Sequence, residues 1–557
     1  MKIRMCGWCV WIAAALLPWP AFAQVADTLL VNGKIITQDA RGSIRQALAV
    51  RDGRIAAVGS SAEIRKLAGR GTRVIDLAGR TVIPGMIDSH LHGIRAGQTF
   101  GTEVNWIGAG SIDEALARIR GAARSKPAGQ WIIVAGGWTE QQFREKRRPT
   151  QAELMAAAPN HPVYIQLFYQ WILLNPQGLK ALNIASDADL TLGAKLERDA
   201  AGNPTGGIVG GAFAISAVFD RLPQPTLEQQ ADGSRKFFRE LNRLGLTGFA
   251  DPGGRNVYAK DYQALHRVWQ EKKLTVRIAY SLFSQNAGRE LEEMQSLTQM
   301  LPMGMGDDML RFIGIGEAVT LGMYNNDKPT EKDKEEFYRA AKWAAEKRMS
   351  LQIHWENDRS VGEALSVFEL LNREIPITGL RWFIAHLNNA SEPTLRRMKD
   401  LGIGWAVQNA TYYSADRYLK SEGPEGLRRT PPLKTGLALG VNMGMGTDAH
   451  RVASYNPMVA LRWLVDGESV WGMPTRGPEQ LLSREEALRL YTLGSAWFVQ
   501  DDARRGSLVP GKFADLAVLS RDYLTVPVEQ ISELESVLTM VGGRVVYAGP
   551  RFTKFED

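Results

Sequence analysis

Six side chains able to hold a metal ion recur at one kind of place in this sequence: His90 and His92 in PGMIDSHLHG, Glu317 ending LRFIGIGE, His354 in LQIHWEN, His386 in RWFIAHL and Asp448 in VNMGMGTD. Each closes, or lies just past, a short apolar run of the kind that forms a buried strand. A His-x-His pair on a strand directs both imidazoles to one face, because side chains alternate with a period of two, so both can reach one ion. A divalent ion held there acidifies water, polarises a carbonyl and leaves a nearby carboxylate to carry the proton. Five of the seven histidines lie at or just past such run ends, with His450 two residues after Asp448, whereas His161 and His266 lack that placement and read as structural.

The elements that must position these residues follow from the pattern around them. Eight apolar runs separated by helical stretches can be counted: TVIPGMIDSHLH, GLTGFAD, TVRIAYSLF, LRFIGIGE, LQIHWEN, RWFIAHL, IGWAVQN and VNMGMGTD. Alternation of this kind signals βα units, eight strands close a (β/α)8 barrel of the TIM type, and the carboxyl ends of its strands carry the chemistry. The fold class expected is therefore α/β, with the barrel over residues 84–499. The stretch between the first two runs is too long for one connection, so residues from about 94 to 240 are read as a subdomain inserted over the barrel mouth. Short β-rich runs with glycine turns occupy 24–83 and return at 500–557, and they are expected to build one small antiparallel β-sandwich from both chain ends.

The first 23 residues differ from the rest. Lys2 and Arg4 precede an apolar run through Leu17, then Pro18, Pro20 and Ala21-Phe22-Ala23. This is the pattern of a secretory signal cleaved before Gln24, too short and too interrupted to span a bilayer. Both cysteines, Cys6 and Cys9, lie inside it, so the mature chain offers no thiolate as nucleophile or ligand. Removing Lys2 and Arg4 takes the formal net charge from +7 to +5. The densest basic run, Arg144 to Arg148, is interrupted by Glu145 and reads as a solvated face, which argues against a nucleic-acid partner. Expected, then, is an exported periplasmic or secreted protein with no stable membrane insertion after cleavage and a small molecule as substrate; a homo-oligomer stays open.

With PGMIDSHLHG, a His closing each of the fifth and sixth runs, and GTDAH after the eighth, the chain resembles the amidohydrolase superfamily. More narrowly, GGWTEQQF, the Asn175 segment, DAAGNPTGGIVG, HWENDRS, the Gln408 segment and GSLVPGKFADLAVL resemble its family 3 branch. The resemblance implies that His90 and His92 bind one ion, that His354 and His386 bind another or assist the first, and that Asp448 touches the metal and takes the proton from its water. Neutral imidazoles with carboxylates suit zinc, at one or two ions per chain, though iron or manganese would accept them too. Many relatives carry a carboxylated lysine in the fourth strand, which LRFIGIGE lacks; Glu317 is the carboxylate that could bridge two cations in its place. Ala385 and Gln170 also depart from the branch, and both changes are expected to reshape the substrate pocket.

Other signals weigh less. The run GIGEA lacks the lysine of a phosphate loop, and no G-x-S-x-G elbow supports a serine nucleophile. Trp138, following a Gly-Gly pair, and Trp355, following His354, are the tryptophans expected near the pocket, together with Gln408 and His450. The leading reading is hydrolysis of an amide-type C–N bond in a small or medium organic molecule. Esters, lactones or a metal-assisted isomerisation on the same centre form the second, and a non-catalytic binding or regulatory barrel the third.

Overall fold

Strands with apolar side chains on both faces need cover on both sides, and a parallel barrel wrapped in helices supplies it. In the computed structural model, which describes residues 25–255 and 257–557, the eight runs form eight parallel strands in sequence order. These are β1 (Met86–Asp88), β2 (Leu246–Asp251), β3 (Arg277–Leu282), β4 (Leu310–Glu317), β5 (Ser350–Trp355), β6 (Phe383–His386), β7 (Gly404–Gln408) and β8 (Met443–Gly446). The signal read at residues 1–23 lies outside the described residues.

Short hydrogen bonds close the barrel. Ser89 N–H donates to Met445 O at 3.0 Å and Asp448 N–H to His90 O at 2.8 Å. Asp88 fastens the same seam, its carboxylate accepting the Thr447 hydroxyl at 2.7 Å and the His90 N–H at 2.9 Å. Gly446 is required here, since a Cβ would stand 2.5 Å from His90 N. Beyond the rim, side-chain caps turn strand into helix at once. Asn357 accepts Ser360 N–H to start the helix Asp358–Glu374, and Ser391 accepts Thr394 N–H to start Glu392–Asp400.

The first run is two strands rather than one. Thr81–Pro84 belongs to a six-stranded sheet with Leu516–Leu519 and Ser536–Val541, and the chain crosses into β1 at Gly85. That sheet packs on a four-stranded one through a single core containing Leu30, Val50, Val82, Leu516 and Leu538, drawn from both chain ends. The pairing is mixed, which corrects the antiparallel expectation. Thr28–Val31 runs parallel to Arg73–Asp76, because the helix Ser61–Arg65 and its flanking turns carry the chain back across the sheet.

The long stretch after β1 holds its own five-stranded sheet, from Ile132–Val134 to Pro204–Val209, with one core around Trp106 and Trp138 and another around Tyr164 and Ile208. The helix Leu227–Arg243, which the sequence reading gave to this insertion, buries Phe237, Phe238 and Leu241 in the barrel's core instead. Helical periodicity shows which face is buried but not against which sheet.

At the amino end of β3, Arg277 Nε lies 2.9 Å and Arg505 Nε 3.1 Å from Asp515 Oδ2, all three groups buried. Burial pushes the Asp515 carboxyl up, but the two guanidinium charges outweigh it and hold it below the ordinary range. A carboxyl lowered on folding stabilises above its unfolded value of about 3.9 and loses that contribution as pH falls. Asp515→Asn, leaving two buried cations without a counter-charge, is expected to cost about 3–5 kcal/mol at neutral pH. Urea unfolding should show the gap from the parent protein narrowing on acidification; equal midpoints at neutral pH would refute the role.

Candidate metal centre

All strands of a parallel barrel end at one rim, and the sequence-predicted ligands converge there. Glu317 is the last residue of β4, His354 the penultimate of β5 and His386 the last of β6; His90 and His92 follow β1 and Asp448 follows β8. Glu317 Oε1 stands 3.0 Å from His354 Nδ1, 3.5 Å from His90 Nε2, 3.8 Å from His92 Nε2 and 3.8 Å from His386 Nε2. Asp448 Oδ1 faces it across the group, 3.2 Å from His92 Nε2 and 3.5 Å from His90 Nε2. Three overlapping triads result: His90, His92 and Glu317; Glu317, His354 and His386; and His90, His386 and Asp448, with ligand atoms within 4.8 Å of one another in each.

The outer contacts aim the imidazoles. His92 Nδ1 lies 2.8 Å from Gly253 O, which accepts a hydrogen bond from the Nδ1 N–H and leaves the Nε2 lone pair to face the centre. The Gln352 amide nitrogen lies 2.7 Å from His90 Nδ1 and holds that ring in place. Tyr324 stacks on His354 at 4.8 Å between ring centroids, and Gln408 Oε1 accepts His386 N–H at 2.5 Å. Sequence reasoning missed Gln352 and Glu356, although both stand two residues from His354 and period two assigns them its face. It also missed Asp88, whose work is in the seam.

Electrostatically the centre is poised for a cation. Burial pushes the Glu317 carboxyl up, but the His92 charge, the hydrogen bond from His354 and the facing His386 and His90 rings outweigh it and hold the group well below the carboxylate range. Asp448 is likewise held down, against burial, by the neighbouring imidazoles of His386, His90 and His92. Burial lowers the affinity of His90 and His354 for protons, yet the facing carboxylates win and push them up to about 9 and about 10. Burial takes His386 down to about 4. Protons and a metal therefore compete for the same nitrogens. The donor set passes a direct test of fit: His90 Nε2 and His386 Nε2 are buried without a hydrogen-bond partner and point among two ionised carboxylates.

The centre opens into a cavity of about 420 Å³ lined by Glu317, His354, His386, Asp448 and Gln408, with Gln170 and other residues of the insertion on its wall. Trp138 and Trp355 do not line it. Trp138 is fully buried against Trp106 and Phe143 and donates to Gln166 O, while Trp355 points away from His354 into the layer around Phe337 and donates to Met323 O. His450 also turns away from the cavity, its Nε2 3.2 Å from Glu103. Ala385, paired with His354 across β5 and β6, is buried under the rim.

A model of the amidohydrolase family matches residues 73–547. An N-substituted formamide deformylase from Arthrobacter pascens is 26% identical over 548 residues, covering 94% of this chain and 99% of that relative. Among solved structures, an uncharacterized metal-dependent hydrolase from Pyrococcus horikoshii aligns with a TM-score of 0.65 at 22% identity, covering 90% of this chain and 99% of that one. An atrazine chlorohydrolase from Arthrobacter aurescens, complexed with zinc, aligns at 0.52 and 16% identity, covering 94% and 95%. At these identities the structural likenesses speak for the fold.

Glu317→Gln keeps the shape of the side chain but removes the charge at the focus of the four imidazoles. The variant is expected to bind at least one ion fewer per chain by elemental analysis. Because β4 holds no lysine to carboxylate, bicarbonate should not raise the metal content of apoprotein. Unchanged metal content in the variant would make Glu317 structural.

Proposed function

The chain belongs to the amidohydrolase family, and on that premise we propose that it hydrolyses an amide-type C–N bond of a small or medium organic molecule at the centre of His90, His92, Glu317, His354, His386 and Asp448. The observation that carries this reading is Glu317 Oε1 at the focus of four imidazoles, with Asp448 opposite and the cavity opening onto both. The Arthrobacter pascens relative, a formamide deformylase by name, supports a carbon–nitrogen bond as the target. Two carboxylates with neutral imidazoles suit zinc, and we assign one or two ions per chain. Bound there, a divalent ion supplies Lewis acidity, which polarises a carbonyl and acidifies water.

The protein's own groups do the rest. Gly253 O fixes the tautomer of His92, so that ring holds its lone pair toward the centre, and Gln352 holds the His90 ring in position. Asp448 stays ionised and lines the cavity, so it can accept a proton from an acidified water at a carboxylate oxygen and pass it to the leaving nitrogen. Water's oxygen joins the carbonyl carbon, the C–N bond breaks, and the amine departs with that proton. Phe168, Tyr169, Phe213, Phe283, Tyr324 and Tyr418 wall the cavity and fit a substrate with an aromatic or apolar part.

Residues 1–23 are read as an export signal, so the mature protein should begin at Gln24 in the periplasm or outside the cell. No helix among the described residues is long and apolar enough to cross a membrane. Intact-mass measurement of protein made in an exporting host checks this, and a mature chain retaining Met1 refutes it.

Asp448→Asn is expected to keep most of the metal and lose on the order of 10²-fold in turnover. A panel of amides, with matched esters and lactones, is the assay. Wild-type turnover in the variant would remove Asp448 from the proton path, and faster cleavage of esters than of matched amides would overturn the C–N assignment.

A further inference from the structure

Arg95 lines the cavity yet is only 8% exposed. Its Nε is buried without a hydrogen-bond partner, and no hydrogen bond or ion pair joins its guanidinium to any described residue. The Tyr169 ring stands 5.9 Å from its central carbon, the outer limit of a cation–π contact. A guanidinium cannot shed its proton to escape burial, and a desolvated charge without a partner is costly.

The Asp251 carboxyl feels the Arg95 charge, but neither it nor any other nearby carboxylate among the described residues bonds to the guanidinium. Asp251 accepts Ile94 N–H and Gly253 N–H, each at 2.8 Å. Glu103 faces His450 at 3.2 Å, and Glu356 lies 3.6 Å from both His354 and Arg417. Glu317 and Asp448 face the imidazoles.

Position completes the argument. Arg95 is the third residue of the helix Gly93–Phe100, which starts immediately after His92, so the two side chains share one helical face. Both lie against Gly254, where a Cβ would meet His92 Nδ1 at 3.1 Å and Arg95 Nη1 at 3.4 Å. The guanidinium, without a hydrogen-bonded or ion-paired acceptor among the described residues, thus sits beside the His92 imidazole, inside the cavity.

We propose that Arg95 receives a carboxylate of the substrate, so that the enzyme acts on amides carrying an anionic group within a few bonds of the scissile C–N bond. This rests on the amidohydrolase reading above. The planar fork of the guanidinium matches a carboxylate with two parallel hydrogen bonds, and the apolar wall excludes the water that would otherwise solvate the pair.

The test is calorimetric binding to metal-loaded protein of matched acid and primary-amide pairs: benzoylglycine, N-acetylphenylalanine and N-formylphenylalanine, each against its carboxamide. Wild type should bind at least one acid about tenfold or more tighter than its carboxamide. Arg95→Met should lose that preference while keeping wild-type metal content, which shows that the centre has assembled. Arg95→Lys, retaining the charge but not the fork, should keep part of it, and it serves if the Met variant does not fold. Equal binding of acid and carboxamide by wild type, binding of no acid, or a preference unchanged in Arg95→Met overturns the proposal. The last result places the carboxylate on the metal instead. If the acid preference stands but no amide is cleaved, the assignment of Arg95 holds and the amidohydrolase reading falls.

Discussion

A carboxylate oxygen removed from water survives as an anion only where cations or hydrogen-bond donors replace its hydration, and Glu317 is arranged around that constraint. Four imidazoles from three separate stretches of chain close on Oε1, so none of the four can be placed independently of the others. A parallel barrel meets the demand because every strand ends at the same rim, whatever the distance in sequence between them. Neighbouring registers then do the fine placement. Glu317 pairs with Ile353 and His386 with Trp355, which sets Glu317, His354 and His386 on three adjacent strand ends.

The remaining ligands depend on the seam where the barrel closes. Asp88 accepts His90 N–H with one oxygen and the Thr447 hydroxyl with the other, so a single carboxyl joins the backbone of one proposed ligand to the residue preceding another, Asp448. Burial pushes that carboxyl up to about 7 despite these bonds, a sign of how dry the seam is. Gly446 allows the close approach that makes it dry, since any side chain there would meet His90 N or Asp88. The seam and the centre are thus one structure, and loosening the closure would misplace His90, His92 and Asp448 together.

Much of this was legible in the sequence because strands have a strict period. The eight runs, their order and the polar residues at their ends follow from alternation and length alone, and the structure has the barrel they imply. The same rule, applied further, puts Gln352 and Glu356 on the face of His354 and turns Trp355 outward, where it packs on Phe337. His450 illustrates where the rule stops: the chain has left β8 by then, so a spacing of two from Asp448 no longer means a shared face. Trp138 and the helix Leu227–Arg243 failed to be placed for a related reason. A buried pattern says that a surface is covered, and it does not say whether the insertion or the barrel covers it.

The centre and the pocket consequently obey different constraints. The proposed metal ligands stand on barrel strands or directly after them, where register leaves little freedom, while Phe168, Tyr169, Gln170 and Phe213 come from the insertion. Insertion residues can change without moving an imidazole, so the pocket can be refitted while the chemistry stays in place. Arg95 stands between the two regimes. It follows His92 by one turn of a helix packed on the barrel, and so cannot be repositioned without the metal centre, yet its charge faces the space that the insertion walls off. A charge that rigid and that dry would weaken binding of a neutral substrate part placed against it, so what the insertion is free to vary is the apolar remainder of the substrate, with the anionic end held constant by the barrel.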